Sequence, residues 1–143
     1  LELTLQVFHL ALPVTDIAAS ITFYTAYFNC QLGRQAARWV DLNFFGHQLS
    51  LHLSEDHKSA DQCSNRVDGD QIHVPHFGVV LEKGPWQALH QKLKEGGVEF
   101  RLEPKIRFAG EAGEQGTFFI KDPSGNTLEF KYFDSADDIF ATD

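Results

Sequence analysis

Methionine is absent from this 143-residue chain, cysteine occurs twice, proline five times, and 12 lysines and arginines face 20 acidic residues. Without methionine Leu1 is not a translation start, so a trimmed or processed chain is the expectation. Cys30 and Cys63 lie in different contexts and form no CxxC pair, which points to free thiols in a reducing compartment rather than to a disulfide. The net charge of −8 leaves no basic patch to offset phosphate, excluding nucleic acid and anionic membrane as partners. No apolar run approaches the roughly 18 residues of a spanning helix. No signal-peptide pattern opens the chain either, so the expected location is cytoplasmic. What remains is a chain with 43% apolar residues, enough for one well-buried domain or two small fused modules. Its thirteen phenylalanines suggest a core between sheet and helix, and seven histidines are generous for this size.

The most informative stretch is Lys121–Phe133. Asp122, Pro123, Gly125 and Asn126 supply the chemistry of a tight turn. Leu128, Phe130 and Tyr132 then alternate with Thr127, Glu129 and Lys131, the period of a strand with one apolar face. Glu129 therefore points away from the apolar layer, toward solvent or into a cavity.

The preceding chain reads as one plan used twice. Residues 7–12 alternate as a strand with Phe8, Leu10 and Leu12 on one face and His9 on the other; Pro13 is expected to end it. Asp16 is a candidate N-cap for a helix near 17–29, whose stripe is Ile17, Ile21, Tyr24 and Phe28. An extended piece at 31–35 and strands at 39–45 and 48–53, joined by a turn at Gly46-His47, complete β-α-β-β-β. Residues 54–71 are polar with no apolar period and read as a linker, partly mobile. A strand is expected over 73–81, a helix from Pro85 to the Gly96-Gly97 stop, and strands at 98–103, 115–121 and 127–133. Module one thus spans about 7–53 and module two about 72–133. The glycines between Arg107 and Gly116 do not make G-x-G-x-x-G and open no helix, so they carry little phosphate-loop signal. Phe8-His-Leu-Ala-Leu and Pro75-His-Phe-Gly-Val share an order of His, apolar, small, apolar, each upstream of a helix, which supports a duplicated unit.

The duplication places His9, His76 and Glu129 in related positions, each opposite its strand's apolar neighbours. With helices on the apolar faces, all three would project to one concave side. Two imidazoles and a carboxylate form the facial set suited to Fe(II) or Mn(II), leaving open positions for substrate and oxygen or water. Taken singly, such a histidine is more often a hydrogen-bonded structural residue than a ligand. Ala11 and Gly78, two residues beyond each histidine, are small and expected to leave room beside it.

These features resemble the vicinal oxygen chelate superfamily, which includes glyoxalase I, extradiol dioxygenases and antibiotic-resistance proteins. The resemblance runs over about residues 7–133. It rests on His9 with Pro13-Val14 and Asp16, on Phe23-Tyr24 through Phe28, on His76-Phe-Gly-Val, and most specifically on Asp122-Pro-Ser-Gly-Asn-Thr-Leu-Glu129. Residues Arg38–Gln48 and Gly113-Glu-Gln115 are similar to a branch described as extradiol-dioxygenase-like. The resemblance implies an α+β fold in which two tandem βαβββ modules build an eight-stranded, half-open barrel with helices outside. It also implies a divalent metal on His9, His76 and Glu129, and a homodimer acting on a small molecule. Fe(II) is the first expectation for the metal, with Mn(II), Ni(II) and Zn(II) as alternatives.

Glyoxalase I adds a fourth ligand, usually glutamate, from the last strand of module one. Here that strand offers Ser50 or His52, depending on how the modules are aligned. His52 has three open roles: fourth ligand, proton-moving group beside the metal, or cavity lining. Three activities follow: an extradiol-type oxygenase, a glyoxalase-like lyase or isomerase, and a non-catalytic binding or resistance protein. Trp39, Asp41, Asn43, Arg107, Glu114 and Gln115 are the candidate substrate-facing residues.

Overall fold

The computed structural model describes residues 5–57, 63–67 and 69–142, with the side chains of residues 63 and 64 outside that set. Leu1–Ser59 and Ala60–Asp143 form two compact units.

In the first unit, strand β1 (His9–Val14) leads to helix α1 (Ile17–Phe28), then to strands β2 (Gln31–Ala36), β3 (Trp39–Phe44) and β4 (His47–Leu53). They form a sheet of order β1-β4-β3-β2, with β1 parallel to β4 and the other pairs antiparallel. The helix begins where expected because the Asp16 carboxylate accepts the Ala19 N–H at 2.9 Å; Asn29, left-handed at φ 53°, ends it. Tyr24 and Phe28 of its expected stripe are buried, joined by Ser20 and Phe23, whereas Ile17 and Ile21 are half-buried. Val40, Leu42 and Phe44 of β3 and Leu49 and Leu51 of β4 meet that stripe. Pro13 does not end β1, which runs on to Val14. β1 lies at the sheet edge, where a residue without an N–H interrupts no ladder.

The second unit opens on strands that were not anticipated. β5 (Cys63–Val67) and β6 (Asp70–Val74) pair as an antiparallel hairpin that begins in the stretch read as a linker, 54–71, and ends in the strand expected over 73–81. Val67, Ile72 and Val74 share one of its faces, but Asn65 and Asp70 interrupt them there, so the run shows too little apolar alternation to be recognised as two strands. Residues 58–62 and 68 of the expected linker, and any statement on the Cys63 thiol, lie outside the described residues. The single strand expected over 73–81 is two. β6 ends at Val74, a cis peptide bond joins Val74 to Pro75, and β7 (Phe77–Leu81) begins after His76. Pro75 has no N–H to give to a continuing ladder.

Helix α2 (Lys83–Glu95) and strands β8 (Phe100–Arg107), β9 (Gln115–Lys121) and β10 (Thr127–Phe133) complete the unit, followed by a short 3₁₀ turn at Ala136–Phe140. The sheet order, β7-β10-β9-β8, repeats that of the first unit, again with its first and last strands parallel. Trp86, Leu89 and Leu93 of α2 are buried. The Trp86 indole donates to the Phe130 carbonyl at 2.9 Å, fixing helix to sheet, and Phe118 stacks on Phe130 at 5.6 Å between ring centres. Each such fully buried aromatic contributes about 1.5–3 kcal/mol relative to exposure. The eight core strands thus form two four-stranded sheets, each covered by one helix, and among the described residues no sheet closes into the expected barrel. No helix among them is long and apolar enough to cross a membrane.

Candidate functional site

Residues directly opposite in a ladder share a face, so the registers locate each candidate without ambiguity. In the second unit Glu129 pairs with Gly78 on β7 and with Phe119 on β9, and Lys131 pairs with Thr117. This face is opposite the one where Leu128, Phe130 and Tyr132 meet α2, as the alternation of 127–133 implied.

The turn before β10 is built as its sequence indicates. Asp122 is buried; its Oδ1 accepts the N–H groups of Ser124 and Asn126, each at 2.9 Å, and its Oδ2 accepts the Asn126 amide at 3.0 Å. Gly125 takes φ 86°, a conformation that costs glycine little. The turn therefore fixes the start of β10 two residues before Glu129.

Glu129 stands beside His76. The His76 Nε2 lies 3.2 Å from Glu129 Oε1, while Thr117 Oγ1 donates to Glu129 Oε2 at 2.6 Å. On the far side of the imidazole, Nδ1 is 2.7 Å from the His73 carbonyl. A carbonyl can only accept, so Nδ1 carries a proton and the neutral ring presents a lone pair at Nε2. Two acceptors then face each other at Nε2 and Oε1, and something positive must stand between them, a proton or a metal ion. With a proton there, the Glu129 hydrogen bond raises the His76 pKa above its ordinary value against the effect of burial. Burial pushes Glu129 up, but hydrogen bonds from His76 and Thr117 more than offset it and leave its pKa lowered. A divalent ion fits equally well. Donors about 2.1 Å from an octahedral ion and at right angles around it are separated by roughly 3 Å. The backbone hydrogen bond at Nδ1 is the support that a ligating histidine ordinarily has.

A cavity of about 290 Å³ opens from this pair. Arg107 and Gln115, two of the expected substrate-facing residues, line it, and the hairpin β5–β6 contributes Val67, Asp70 and Ile72 to its wall. Lys105 and Lys131 line it as well; the Lys105 ammonium bonds Asp70 at 2.7 Å. Neither lysine was singled out from sequence, although Lys131 has the same strand parity as Glu129 and was legible on that ground.

Glu114, also expected to face substrate, stands apart from this cavity. It is buried on the other side of the sheet, accepting from the Tyr132 hydroxyl at 2.8 Å, the Gly110 N–H at 2.8 Å and Lys83 at 2.7 Å. Lys83 first, then Gly110 and Tyr132, hold its pKa down to about 2. It lies one residue before Gln115 and so points to the opposite face. Gly78 is a correction. A Cβ built there would overlap the Glu129 carbonyl oxygen and come within 2.6 Å of its carbon, so the missing side chain makes room for β10 rather than for a ligand.

In the first unit, the rows of the face opposite α1 are His9 with Gln48 and Asn43, Ala11 with Ser50 and Asp41, and Pro13 with His52 and Trp39. His9, exposed at the start of β1, has the expected parity. Since Ala11 follows His9 as Gly78 follows His76, and Ser50 pairs with Ala11 as Glu129 pairs with Gly78, the counterpart of Glu129 is Ser50. His52 lies one row further, at the counterpart of Lys131, which removes the alignment that would have made it the fourth ligand. Ser50 is buried and donates to Asp41 Oδ1 at 2.6 Å. Asn43 accepts the Gly46 N–H at 2.8 Å and so holds the β3–β4 turn. Trp39 is half-buried, with the Arg34 guanidinium 5.8 Å from its ring centre. Among the described residues, no three His, Cys, Asp or Glu side chains are grouped as a metal cluster.

Comparison with known proteins identifies the family: residues 6–130 match the Glyoxalase/Bleomycin resistance protein/Dioxygenase superfamily. The chain belongs to this superfamily. Its members include dioxygenases, glyoxalase I and resistance proteins; they bind small molecules, generally use a divalent metal and are typically dimeric. Among proteins, the superfamily chain is 28% identical over 127 residues to a trivalent organoarsenical cleaving enzyme of Bacillus sp. (strain MD1), covering 87% of this chain and 71% of that one. Among structures, it is 34% identical to a glyoxalase/bleomycin resistance protein/dioxygenase from Alicyclobacillus acidocaldarius, with a TM-score of 0.74 over 94% of this chain and 96% of the other. The fosfomycin resistance protein FosX of Listeria monocytogenes, 14% identical, shares the fold with a TM-score of 0.70 over 95% and 98%.

Proposed function

We propose that the chain is a metal-dependent oxygenase of the extradiol type, holding a divalent ion, Fe(II) or Mn(II), on His9, His76 and Glu129. The observation that carries this reading is the opposed pair His76 Nε2 and Glu129 Oε1 at 3.2 Å, backed by a carbonyl on the ring's far side. His9 enters from its matching position on the equivalent strand and from superfamily membership. Held by His9, His76 and Glu129, such an ion would supply a Lewis-acid and redox centre with open positions for two neighbouring substrate oxygens and dioxygen. Thr117 keeps one Glu129 oxygen occupied, directing the other toward His76. The His73 carbonyl keeps the imidazole turned with Nε2 toward the site. His52, on the same face of its sheet as His9, is the proposed acceptor for a proton leaving the substrate.

The reading is favoured over a glyoxalase-like lyase by the first unit. That chemistry calls on a glutamate at the fourth position, and a serine stands there. The substrate named for the Bacillus relative is not carried over. Trivalent arsenic is soft and seeks thiolate, whereas Cys30, the cysteine whose side chain is described, is buried and its thiol is pushed up to about 11. A homodimer is proposed from the habit of the superfamily.

The deciding experiment is metal content of protein isolated without chelator, beside His9→Ala and His76→Ala. About one Fe or Mn per chain, lost in both variants, followed by oxygen uptake with catechols, is the expected result. Ni or Zn with no oxygen uptake would favour the lyase. No metal even after reconstitution would refute both and leave a binding protein.

A further inference from the structure

We propose that the cavity beside His76 and Glu129 selects a small organic acid, with its carboxylate received by Arg107 and Lys131. The inference deepens the metal-site reading and rests on it for where the remaining substrate oxygens go. It begins from charge. In a chain of net charge −8 with 12 basic residues, three of the twelve, Lys105, Arg107 and Lys131, line one cavity. Register explains the concentration: Lys105 pairs with Thr117, which pairs with Lys131, and Arg107 pairs with Gln115 one row on. The three cations therefore occupy two adjacent rows of a single face, immediately past the row of Glu129.

Among the described residues lining the cavity, two are carboxylates, and both are engaged. Asp70 reaches from the hairpin to Lys105 at 2.7 Å. Glu129 is taken by His76 and Thr117, or by the ion proposed there. Lys131 has neither an ion pair nor a hydrogen bond among the described residues; its ammonium stands 5.9 Å from the centre of the Phe133 ring. A half-buried ammonium in such company is stabilised by an incoming anion, and an added guanidinium favours a planar one. Phe119, Leu102 and Ile72 give the same cavity an apolar wall. Its volume, about 290 Å³, sits near the lower end of the roughly 300–1,000 Å³ usual for ligand pockets. A compact acid with a flat unsaturated body satisfies the charge, the apolar wall and the size together.

The test is calorimetric and uses a matched pair of probes, 3,4-dihydroxybenzoate and catechol, which share vicinal oxygens and differ by one carboxylate. On metal-loaded wild-type protein the acid should bind about ten- to a hundredfold more tightly, the range expected of charge-assisted hydrogen bonds. The ratio should fall toward one in Arg107→Gln with Lys131→Met, and shrink with added salt. Equal affinities in wild type, or a preference that survives in the double variant, would overturn the proposal. A parallel arm on metal-free protein compares benzoate with benzyl alcohol and separates the two readings. If no metal binds but benzoate is still preferred through Arg107 and Lys131, the acid site stands and the metal reading falls. If metal binds and neither acid is preferred at millimolar concentration, the acid site falls alone. Circular dichroism of the double variant shows whether its fold is intact, and single variants replace it where it is not.

Discussion

Replacing Gly78 with alanine should damage this protein more than an added methyl group at an exposed position ordinarily does. Gly78 pairs with Glu129 across the parallel ladder of β7 and β10, and an alanine Cβ there would lie 2.6 Å from the Glu129 carbonyl carbon and 3.0 Å from its nitrogen. Ordinary contacts begin near 3.4 Å and the same Cβ would overlap the Glu129 carbonyl oxygen outright, so the two strands must part by well over an ångström at this row. The obstruction is backbone, which cannot rotate aside. Overpacking of this kind costs about 1–3 kcal/mol, and each ladder hydrogen bond stretched beside it adds about 0.5–1.5 kcal/mol, for a total of roughly 2–5 kcal/mol. Urea unfolding followed by fluorescence would read this as a midpoint lowered by about 1–2.5 M for a slope of roughly 2 kcal/mol/M. Because the displaced residue is Glu129, whatever folded protein remains should also bind metal more weakly. A variant within about 0.5 kcal/mol of wild type would show that β7 and β10 are not held as closely as described, and the placement of Glu129 against His76 would fall with it.

Other perturbations follow from the same geometry. Asp122→Ala removes three hydrogen bonds from a buried turn and should cost about 2–4 kcal/mol in the same unfolding assay, with loss of metal affinity because the turn positions β10. Glu129→Gln and His76→Ala should each abolish metal retention through dialysis while leaving the far-ultraviolet circular dichroism unchanged, since neither side chain faces α2. Glu114, held at about 2, contributes stability that is complete above the ordinary carboxylate range near 4.5 and is lost as pH falls from there through about 2. Glu114→Gln should therefore be less stable at neutral pH and show a flatter acid-unfolding profile, whereas an unchanged profile would place Glu114 outside the Lys83 and Tyr132 network. Asp16→Ala should cost about 1 kcal/mol through loss of the α1 cap, with no effect on ligand affinity.

Much of this arrangement was legible before any coordinates, and the reason is period. Leu128, Phe130 and Tyr132 had to share a face because side chains alternate along a strand, so Glu129 had to lie on the other; the same rule placed His9, Asp41 and His52. Turn chemistry gave Asp122–Asn126, and an Asp before an apolar stripe gave the start of α1. What escaped were contacts set by partners distant in sequence. The β5–β6 hairpin breaks its apolar face of Val67, Ile72 and Val74 with Asn65 and Asp70, so its own residues announce a strand only weakly; Asp70 also reaches Lys105, 35 residues on. Glu114 stood beside Gln115 in a glycine-rich loop, where no period exists to say that adjacent residues point oppositely. Gly78 was small for a reason that only the neighbouring strand supplies.

The two units differ where they should be most alike, and that difference bears on chemistry. Strand order and register repeat so closely that Ser50 occupies in one the place of Glu129 in the other. A carboxylate is nevertheless present in that row, because Ser50 donates to Asp41 from the adjacent strand at 2.6 Å. The Asp41 side chain has room beside β2 because Gly33 has none of its own; a Cβ there would stand 3.3 Å from Asp41 Cβ. A serine cannot ligate as a glutamate does, but an Asp–Ser pair can accept or relay a proton, which a ligating glutamate cannot while it holds a metal. A hydrogen-bonded acid thus stands in the first unit in the row where the second carries the proposed ligand. Ser50→Glu therefore tests the division of labour. If Asp41 and Ser50 serve proton movement beside a three-ligand ion, the added carboxylate should tighten metal retention while slowing oxygen uptake. Tighter retention with unchanged or faster oxygen uptake would show that the pair has no part in the reaction.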